Sequence, residues 1–151
     1  MSLIGTLETD VDISATAQQF FEVMCNAPSQ LTSIVPDIVK SVDLLDGLWG
    51  ALGAISSWTY VLGGVNSTIT LLISAVNPIT KSVTYGLIEE DLKSQFSTFT
   101  VQMDATQKNV GSTVHLTMSY VKLTEDVSTP QALLDLGVQL ITELDAYLAR
   151  A

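Results

Sequence analysis

The chain has 151 residues, of which 47% are apolar and 15% charged, so it can bury one core and its composition excludes an intrinsically disordered protein. Sixteen acidic residues against six basic ones give a formal net charge of −10, which disfavours nucleic acid and membranes as partners. No basic flank of a signal peptide and no apolar stretch of membrane-spanning length is found, so we expect a cytoplasmic protein.

Two short helices are predicted directly after a first strand. Loosely alternating apolar residues predict the strand over residues 3–12. Ser14 is a suitable N-cap for a helix over residues 15–24. A second helix is predicted over residues 29–35, because Pro36 would end it. Paired short helices in this position are an unusual feature that helps to define the fold.

A region rich in strands follows the two helices. The segments between strands carry turn residues, among them Gly63-Gly64, Asn77-Pro78 and an acidic turn at residues 89–91. Such short connections favour antiparallel neighbours, because parallel strands need longer crossovers. Six further strands are predicted, over residues 38–45, 52–62, 67–76, 79–88, 95–104 and 112–123.

The last element is a long amphipathic helix. Thr129 as N-cap and Pro130 at the first helical position begin a helix that is predicted to reach residue 149. Seven strands and one long helix predict an α+β fold, a single domain over residues 1–151, in which the sheet curls around the helix. The apolar stripe of this helix consists of Leu133, Leu136, Gly137, Leu140, Leu144 and Leu148.

The concave face of the predicted sheet is apolar. Since side chains alternate across a strand, one set in each of the last three strands faces the helix and the other faces water. The inward set contains no acidic or basic residue, and its polar atoms are two tyrosine hydroxyls. Alternation alone cannot distinguish a packed core from a hollow. The inward residues are Val83, Tyr85, Leu87, Phe99, Val101, Met103, Val114, Leu116, Met118 and Tyr120.

Several segments resemble the plant major latex proteins of the Bet v 1 family. Residues 42–53 are similar to the acidic-Gly-x-Trp-Gly-x-x-Gly loop that joins the second and third strands in that family. Residues 80–84 and 88–92 resemble its turn and fifth strand, although Glu90 replaces the customary glycine.

The end of the seventh predicted strand carries the same resemblance. Residues 120–126 are similar to the family's aromatic-Glu-Lys-x-x-Glu-Asp pattern, with Val121 in place of the first glutamate. The order of elements also fits the family from end to end. The resemblance implies a helix-grip fold: a curved seven-stranded antiparallel sheet around the long C-terminal helix, with the two short helices forming a V. It also implies an internal cavity for hydrophobic plant metabolites. Trp49 would either cover this cavity as a lid or serve as a packed anchor.

Other residues that could carry chemistry have simpler interpretations. Gly47, Gly50 and Gly53 lack the spacing of a phosphate-binding motif and favour tight turns with positive φ. His115 falls on the outward side of its strand, so a solvated histidine is favoured over a catalytic base. Cys25 has no basic neighbour and is interpreted as a core residue. One cysteine and one histidine cannot form a usual Cys/His metal site, and although carboxylates alone could bind a metal, no acidic spacing resembles a calcium loop. We therefore expect no metal, and no cofactor is expected.

The first functional hypothesis is a binding protein for a small hydrophobic plant metabolite, of terpenoid, iridoid or alkaloid type. Gly137 would leave room for the ligand, and a monomer or weak dimer would suffice. The predicted ligand-binding residues are Val83, Tyr85, Leu87, Phe99, Val101, Met103, Val114, Leu116, Met118, Tyr120, Gly137, Leu140 and Leu144.

The alternative is a cyclase or isomerase that works without a cofactor. Some relatives use a pocket lysine, which the inward positions lack, but cyclisation of an already reactive iridoid-type terpenoid needs only folding and exclusion of water. Tyr85 and Tyr120 are the candidate catalytic residues, since a buried hydroxyl could polarise a carbonyl. Equally, a backbone carbonyl could accept each hydroxyl. A third possibility is an interaction protein with a filled core.

Overall fold

The fold is built on one antiparallel sheet of seven strands. The computed structural model describes residues 3–88 and 95–150, so the predicted turn at residues 89–91 lies outside the described residues. The strand order is β1-β7-β6-β5-β4-β3-β2, which confirms the predicted antiparallel sheet. The strands are β1 (Ile4–Ile13), β2 (Val39–Asp46), β3 (Ile55–Leu62), β4 (Val65–Asn77), β5 (Ser82–Leu87), β6 (Phe96–Gln107) and β7 (Ser112–Lys122).

Three helices complete the fold. α1 (Ala17–Phe21) continues into a π-helical turn (Glu22–Asn26), and a 3₁₀ turn (Pro28–Gln30) leads into α2 (Leu31–Ile34). α3 (Gln131–Arg150) is the long C-terminal helix, and it contacts both short helices as well as β1, β3 and β7. The two short helices and the long C-terminal helix are thus confirmed.

Two strands begin three residues later than predicted. β3 begins at Ile55 because residues 47–53 form a loop, here called the glycine loop, with three glycines at positive φ. β5 begins at Ser82 because Lys81 has a φ of 58° and the Asn77 side-chain oxygen accepts hydrogen bonds from two backbone N–H groups of the turn. A positive φ breaks the extended conformation that a strand requires.

The turn between β3 and β4 follows the predicted turn chemistry. Gly63 and Gly64 have φ values of 59° and 79°, and Leu62 and Val65 on either side are directly paired. Two consecutive positive φ angles are typical of a tight hairpin turn whose twist matches that of the strands. Glycine adopts these angles without the steric cost that a Cβ atom brings.

The N-cap of the first helix is Thr16, so the prediction of Ser14 was wrong. The Thr16 hydroxyl accepts from the Gln19 N–H at 3.0 Å, and the Gln19 side chain accepts from the Thr16 N–H at 2.9 Å, which together form a capping box. Ser14 instead donates its N–H and its hydroxyl to the Asp145 carboxylate. These hydrogen bonds join the end of β1 to α3, between residues that are 131 positions apart in the sequence.

The long helix covers the core as its pattern predicts. It begins at Gln131, one residue after the predicted first helical residue, and the Leu134 N–H donates to the Pro130 carbonyl at 3.3 Å. Ile141 and Leu144 are completely buried. The second half of the helix therefore carries its most deeply buried side chains, and residues of its first half line the region described next.

Candidate functional site

A hollow remains between the concave face of the sheet and the first half of α3. It has a volume of about 120 Å³, and its wall is almost entirely apolar. No acidic, basic, histidine or cysteine side chain occurs among the described residues of the wall. The wall consists of Ile38, Val39, Trp58, Tyr60, Ile69, Leu71, Tyr85, Leu87, Phe99, Val101, Met118, Leu133, Leu136, Gly137 and Leu140.

Strand register brings the sheet residues of the wall together. Val101 lies directly between Tyr85 on β5 and Met118 on β7, and Trp58 on β3 lies opposite Ile69 on β4. Residues that are directly paired point to the same face, so these side chains form rows on the inner surface. The row of Tyr85, Val101 and Met118 forms the central part of the sheet-side wall.

Seven of the thirteen predicted ligand-binding residues line the hollow. Gly137 is among them, although an added Cβ atom there would lie 2.9 Å from a methyl carbon of Leu116. This glycine therefore also allows α3 to approach β7 closely. The seven residues are Tyr85, Leu87, Phe99, Val101, Met118, Gly137 and Leu140.

The other six predicted residues lie on the inner side but outside the hollow. Five of them, Val83, Met103, Val114, Leu116 and Leu144, are buried in the core, and strand register pairs Val83 with Met103 and Met103 with Leu116. Since alternation fixes only the face of a side chain, it could not show which part of the interior is filled.

Tyr120 is the sixth of these residues, and its ring belongs to an aromatic cluster. The ring centroid lies 5.6 Å from that of Phe96 and 6.2 Å from that of Phe99. On β1, a Cβ atom added at Gly5 would come within 2.4 Å of the Tyr120 ring, so the ring covers this glycine. The position assigns Tyr120 to packing at the edge of the sheet.

The hydroxyl of Tyr85 is bonded to the backbone. It donates to the Met24 carbonyl of the π-helical turn at 2.8 Å, and burial raises the pKa of Tyr85 well above its ordinary value. Of the two possibilities considered for this hydroxyl, the structure shows a backbone carbonyl as its partner. The edge of the Trp58 ring meets Tyr85 at a centroid distance of 5.9 Å, which fixes the orientation of both rings in the wall.

Eight residues of the wall were not among the predicted ligand-binding residues. Ser56, Trp58 and Tyr60 are buried and alternate with half-buried residues along β3, and this alternation is the signal that identifies Trp58 and Tyr60. Ile38 and Val39 follow Pro36 at an irregular junction where no periodicity exists. The missed residues are Ile38, Val39, Trp58, Tyr60, Ile69, Leu71, Leu133 and Leu136.

The glycine loop does not contribute to the wall of the hollow. Gly47, Gly50 and Gly53 have φ values of 81°, 77° and 87°, as a tight loop requires. An added Cβ atom at Gly50 would lie 2.1 Å from the Asn26 side-chain oxygen, so the loop packs closely on the end of the π-helical turn. Trp49 is 36% exposed and lies outside the wall, which provides no support for a lid over the hollow.

His115 lies on the outer face of the sheet, as alternation predicts. Its ring is bonded to Asp10, and its Nε2 atom lies 3.0 Å from a Glu8 carboxylate oxygen. The hydrogen bond to Asp10 has the largest effect, and together with that to Glu8 it raises the pKa of His115 above its ordinary value. Within the described residues, no group of three or more acidic, histidine or cysteine side chains could hold a metal ion.

The raised pKa of His115 predicts how the stability of the protein depends on pH. A histidine with a raised pKa in the folded state stabilises the fold fully below about pH 6.5, its ordinary pKa, and this contribution is lost as the pH rises through the folded value. The His115→Gln variant should therefore lose more stability relative to the native chain at about pH 5.5 than at about pH 8.5. Urea unfolding of both proteins measures the difference, and an equal loss at both pH values would contradict the assignment.

Cys25 is a buried thiol, as expected of a core residue. It is 1% exposed, and burial, together with the charge of Glu22, raises its pKa to about 11. Since the thiolate is the reactive form, we expect Cys25 to react with a disulfide reagent only when the chain unfolds. Absorbance measurements with Ellman's reagent, with and without denaturing urea, test this, and rapid reaction of the native protein would show the expectation to be wrong.

Comparison with known proteins decides the family. The sequence model of the pathogenesis-related protein Bet v 1 family matches residues 2–151. The chain belongs to the Bet v 1 family. The crystal structure of ginseng major latex-like protein 151 from Panax ginseng superimposes with a TM-score of 0.93 at 26% identity, and the match covers 96% of this chain and 97% of that one.

Relatives within the Bet v 1 family confirm the resemblance to major latex proteins. MLP-like protein 43 of Arabidopsis thaliana is 34% identical over 97% of this chain and 94% of its own length. MLP-like protein 34 of the same plant is 35% identical over 97% of this chain, and the match spans only 47% of that relative. Among the described residues, none of the helices is long and apolar enough to cross a bilayer.

Proposed function

We propose that this Bet v 1 family member binds a small hydrophobic plant metabolite in the hollow beneath α3. The observation that carries the proposal is the volume of about 120 Å³ lined by an apolar wall. A buried apolar cavity of about 150 Å³ stays dry and takes up benzene or xenon. A ring of similar size, or one face of a compact terpenoid, would gain affinity here from burial at about 25 cal/mol per Å².

The composition of the wall favours an uncharged ligand. The aromatic rings of Trp58, Tyr60 and Tyr85 offer flat apolar surfaces, but no described wall residue carries a carboxylate to pair with a cation. Burial of an unpaired charge is costly. A neutral terpenoid, such as an iridoid, is therefore favoured over a protonated alkaloid.

Displacement of a neutral fluorescent probe tests this proposal. N-Phenyl-1-naphthylamine brightens in apolar surroundings, and the native protein should bind it and release it when menthol or limonene is added. A sugar alcohol of similar size, which cannot be accommodated by an apolar wall, is the control and should displace nothing. Absence of probe binding, or equal displacement by the control, would refute the proposal.

A cyclase or isomerase acting on a reactive terpenoid is the second candidate function. The supporting observation is the apolar wall, in which two polar donors are already bonded within the protein: the Tyr85 hydroxyl donates to the Met24 carbonyl, and the Trp58 Nε1–H donates to the Ser56 hydroxyl at 2.9 Å. A reactive aldehyde or enol held in this hollow would fold without competition from water. Product analysis of a spontaneous iridoid-type cyclisation, with and without protein, tests it. Unchanged rate and stereochemistry would rule it out and leave the binding proposal standing.

Comparison of Tyr85→Phe with the native chain separates the two roles of this tyrosine. Loss of the hydroxyl leaves the Met24 carbonyl without a partner, which costs about 1–3 kcal/mol of stability. The single O–H of Tyr85 is donated to Met24, so it can polarise a substrate carbonyl only after that bond breaks; in that case the variant should bind menthol normally but lose the effect on product stereochemistry. A variant that keeps the native product distribution would restrict Tyr85 to a structural role.

A further inference from the structure

A second, wider depression adjoins the apolar hollow. It has a volume of about 600 Å³, and Tyr60 and Leu133 line both spaces. It lies where the β3–β4 turn, the start of β6 and the segment before α3 meet. The described residues around it are Tyr60, Leu62, Asn66, Ser67, Thr68, Gln95, Phe96, Ser128, Thr129, Pro130, Ala132 and Leu133.

The polar side chains around this depression are uncharged, and some of them are available to bind a ligand. Within residues 3–88 and 95–150, five of them make no hydrogen bond to another residue, and no charged side chain belongs to the described lining. Ser67 is half-buried and lies directly opposite Tyr60 on the neighbouring strand, so it stands at the boundary between the two spaces. The five residues are Asn66, Ser67, Gln95, Ser128 and Thr129.

The size of the apolar hollow indicates that larger ligands extend into the depression. Pockets for drug-sized ligands have volumes of roughly 300–1,000 Å³. The hollow alone, at about 120 Å³, falls below this range, and the adjoining depression of about 600 Å³ brings the combined space within it. A ligand that fills the hollow and continues past Tyr60 and Leu133 would meet the free hydroxyl and amide groups.

We propose that the depression binds an uncharged, polyhydroxylated part of the ligand, such as a sugar joined to an apolar terpenoid group. Hydroxyl and amide side chains both donate and accept, and so match the hydroxyl groups of a sugar. An anionic group finds no cation in the described lining, and the net charge of −10 opposes it further. The inference rests on the proposed function, because the apolar part must enter the hollow.

Three matched ligands test the inference on the native chain. Menthol, menthyl β-D-glucoside and menthyl β-D-glucuronide share the apolar group and differ in the absence, presence and charge of the sugar. Calorimetric titration should show the glucoside binding about tenfold more tightly than menthol, and the glucuronide more weakly than the glucoside. A glucoside that binds no better than menthol, or a glucuronide that binds as well as the glucoside, would overturn the inference.

A double variant shows whether the sugar lies in the depression. Ser67→Ala with Thr129→Val removes two hydroxyls and should weaken glucoside binding about tenfold while leaving menthol binding unchanged. Ser33→Ala, at an exposed site on α2, is the control and should bind both ligands normally. Native affinity of the double variant for the glucoside would refute the site. Failure of menthol itself to bind would instead refute the proposed function, and the inference with it.

Discussion

Replacement of Val101 by phenylalanine is expected to weaken binding of N-phenyl-1-naphthylamine by about tenfold or more. Val101 is half-buried at the centre of the sheet-side wall, between Tyr85 and Met118. A cavity of about 150 Å³ takes up one benzene molecule, so a phenyl ring at this position would occupy most of the volume of about 120 Å³. The added ring displaces the probe because both require the same space.

The Val101→Phe variant should stay folded because it fills an existing space. Insertion of a larger side chain into a well-packed core costs about 1–3 kcal/mol, and less is expected where a hollow receives it. Val110→Phe is the matched control, since Val110 is 85% exposed in the β6–β7 turn. A folded Val101→Phe protein with native affinity for the probe would show that the ligand binds elsewhere.

Leucine-to-alanine changes at two positions on α3 should separate the packed core from the hollow. Leu144 is completely buried, outside the wall, whereas Leu140 lies on the wall. Leu144→Ala should lower the free energy of unfolding by about 2–5 kcal/mol, because it leaves a void in a packed region. Its affinity for the probe should remain native, since no wall atom is removed.

Leu140→Ala should instead change binding. Loss of this side chain enlarges the hollow, so the affinity for the bulky naphthyl probe should rise about threefold or more. Urea unfolding and fluorescence titration of both variants provide the two measurements. If Leu144→Ala altered the affinity more than Leu140→Ala, the hollow would have to lie under the second half of the helix.

Local patterns in the sequence predicted most of the fold. Alternation in β5, β6 and β7 identified the inner face, and the apolar stripe identified the helix that covers it. The differences arose where side chains or backbone conformation override propensity. Thr16 replaced Ser14 as N-cap because Asp145, far along the chain, binds Ser14. β5 begins later in the chain than predicted because Lys81, the residue before it, has a positive φ.

The candidate site was predicted less completely than the fold. The seven predicted residues that line the hollow include Tyr85 and Val101, which alternation places on the inner face. Val83 and Met103 have the same alternation but lie in the core. No periodicity distinguishes the two pairs, because the difference depends on which elements, distant in sequence, pack over each row of the sheet.

The sequence by itself determined which residues form strands and the long helix, and which face of each is apolar, because these properties depend on neighbours within a few positions. Only the tertiary structure decided where the interior stays open. Gly137 lets α3 approach β7 at Leu116, while the aromatic rings of Trp58 and Tyr85 contribute to the wall of the hollow. The space between helix and sheet depends on side chains that are distant in sequence, and it exists only once they pack together.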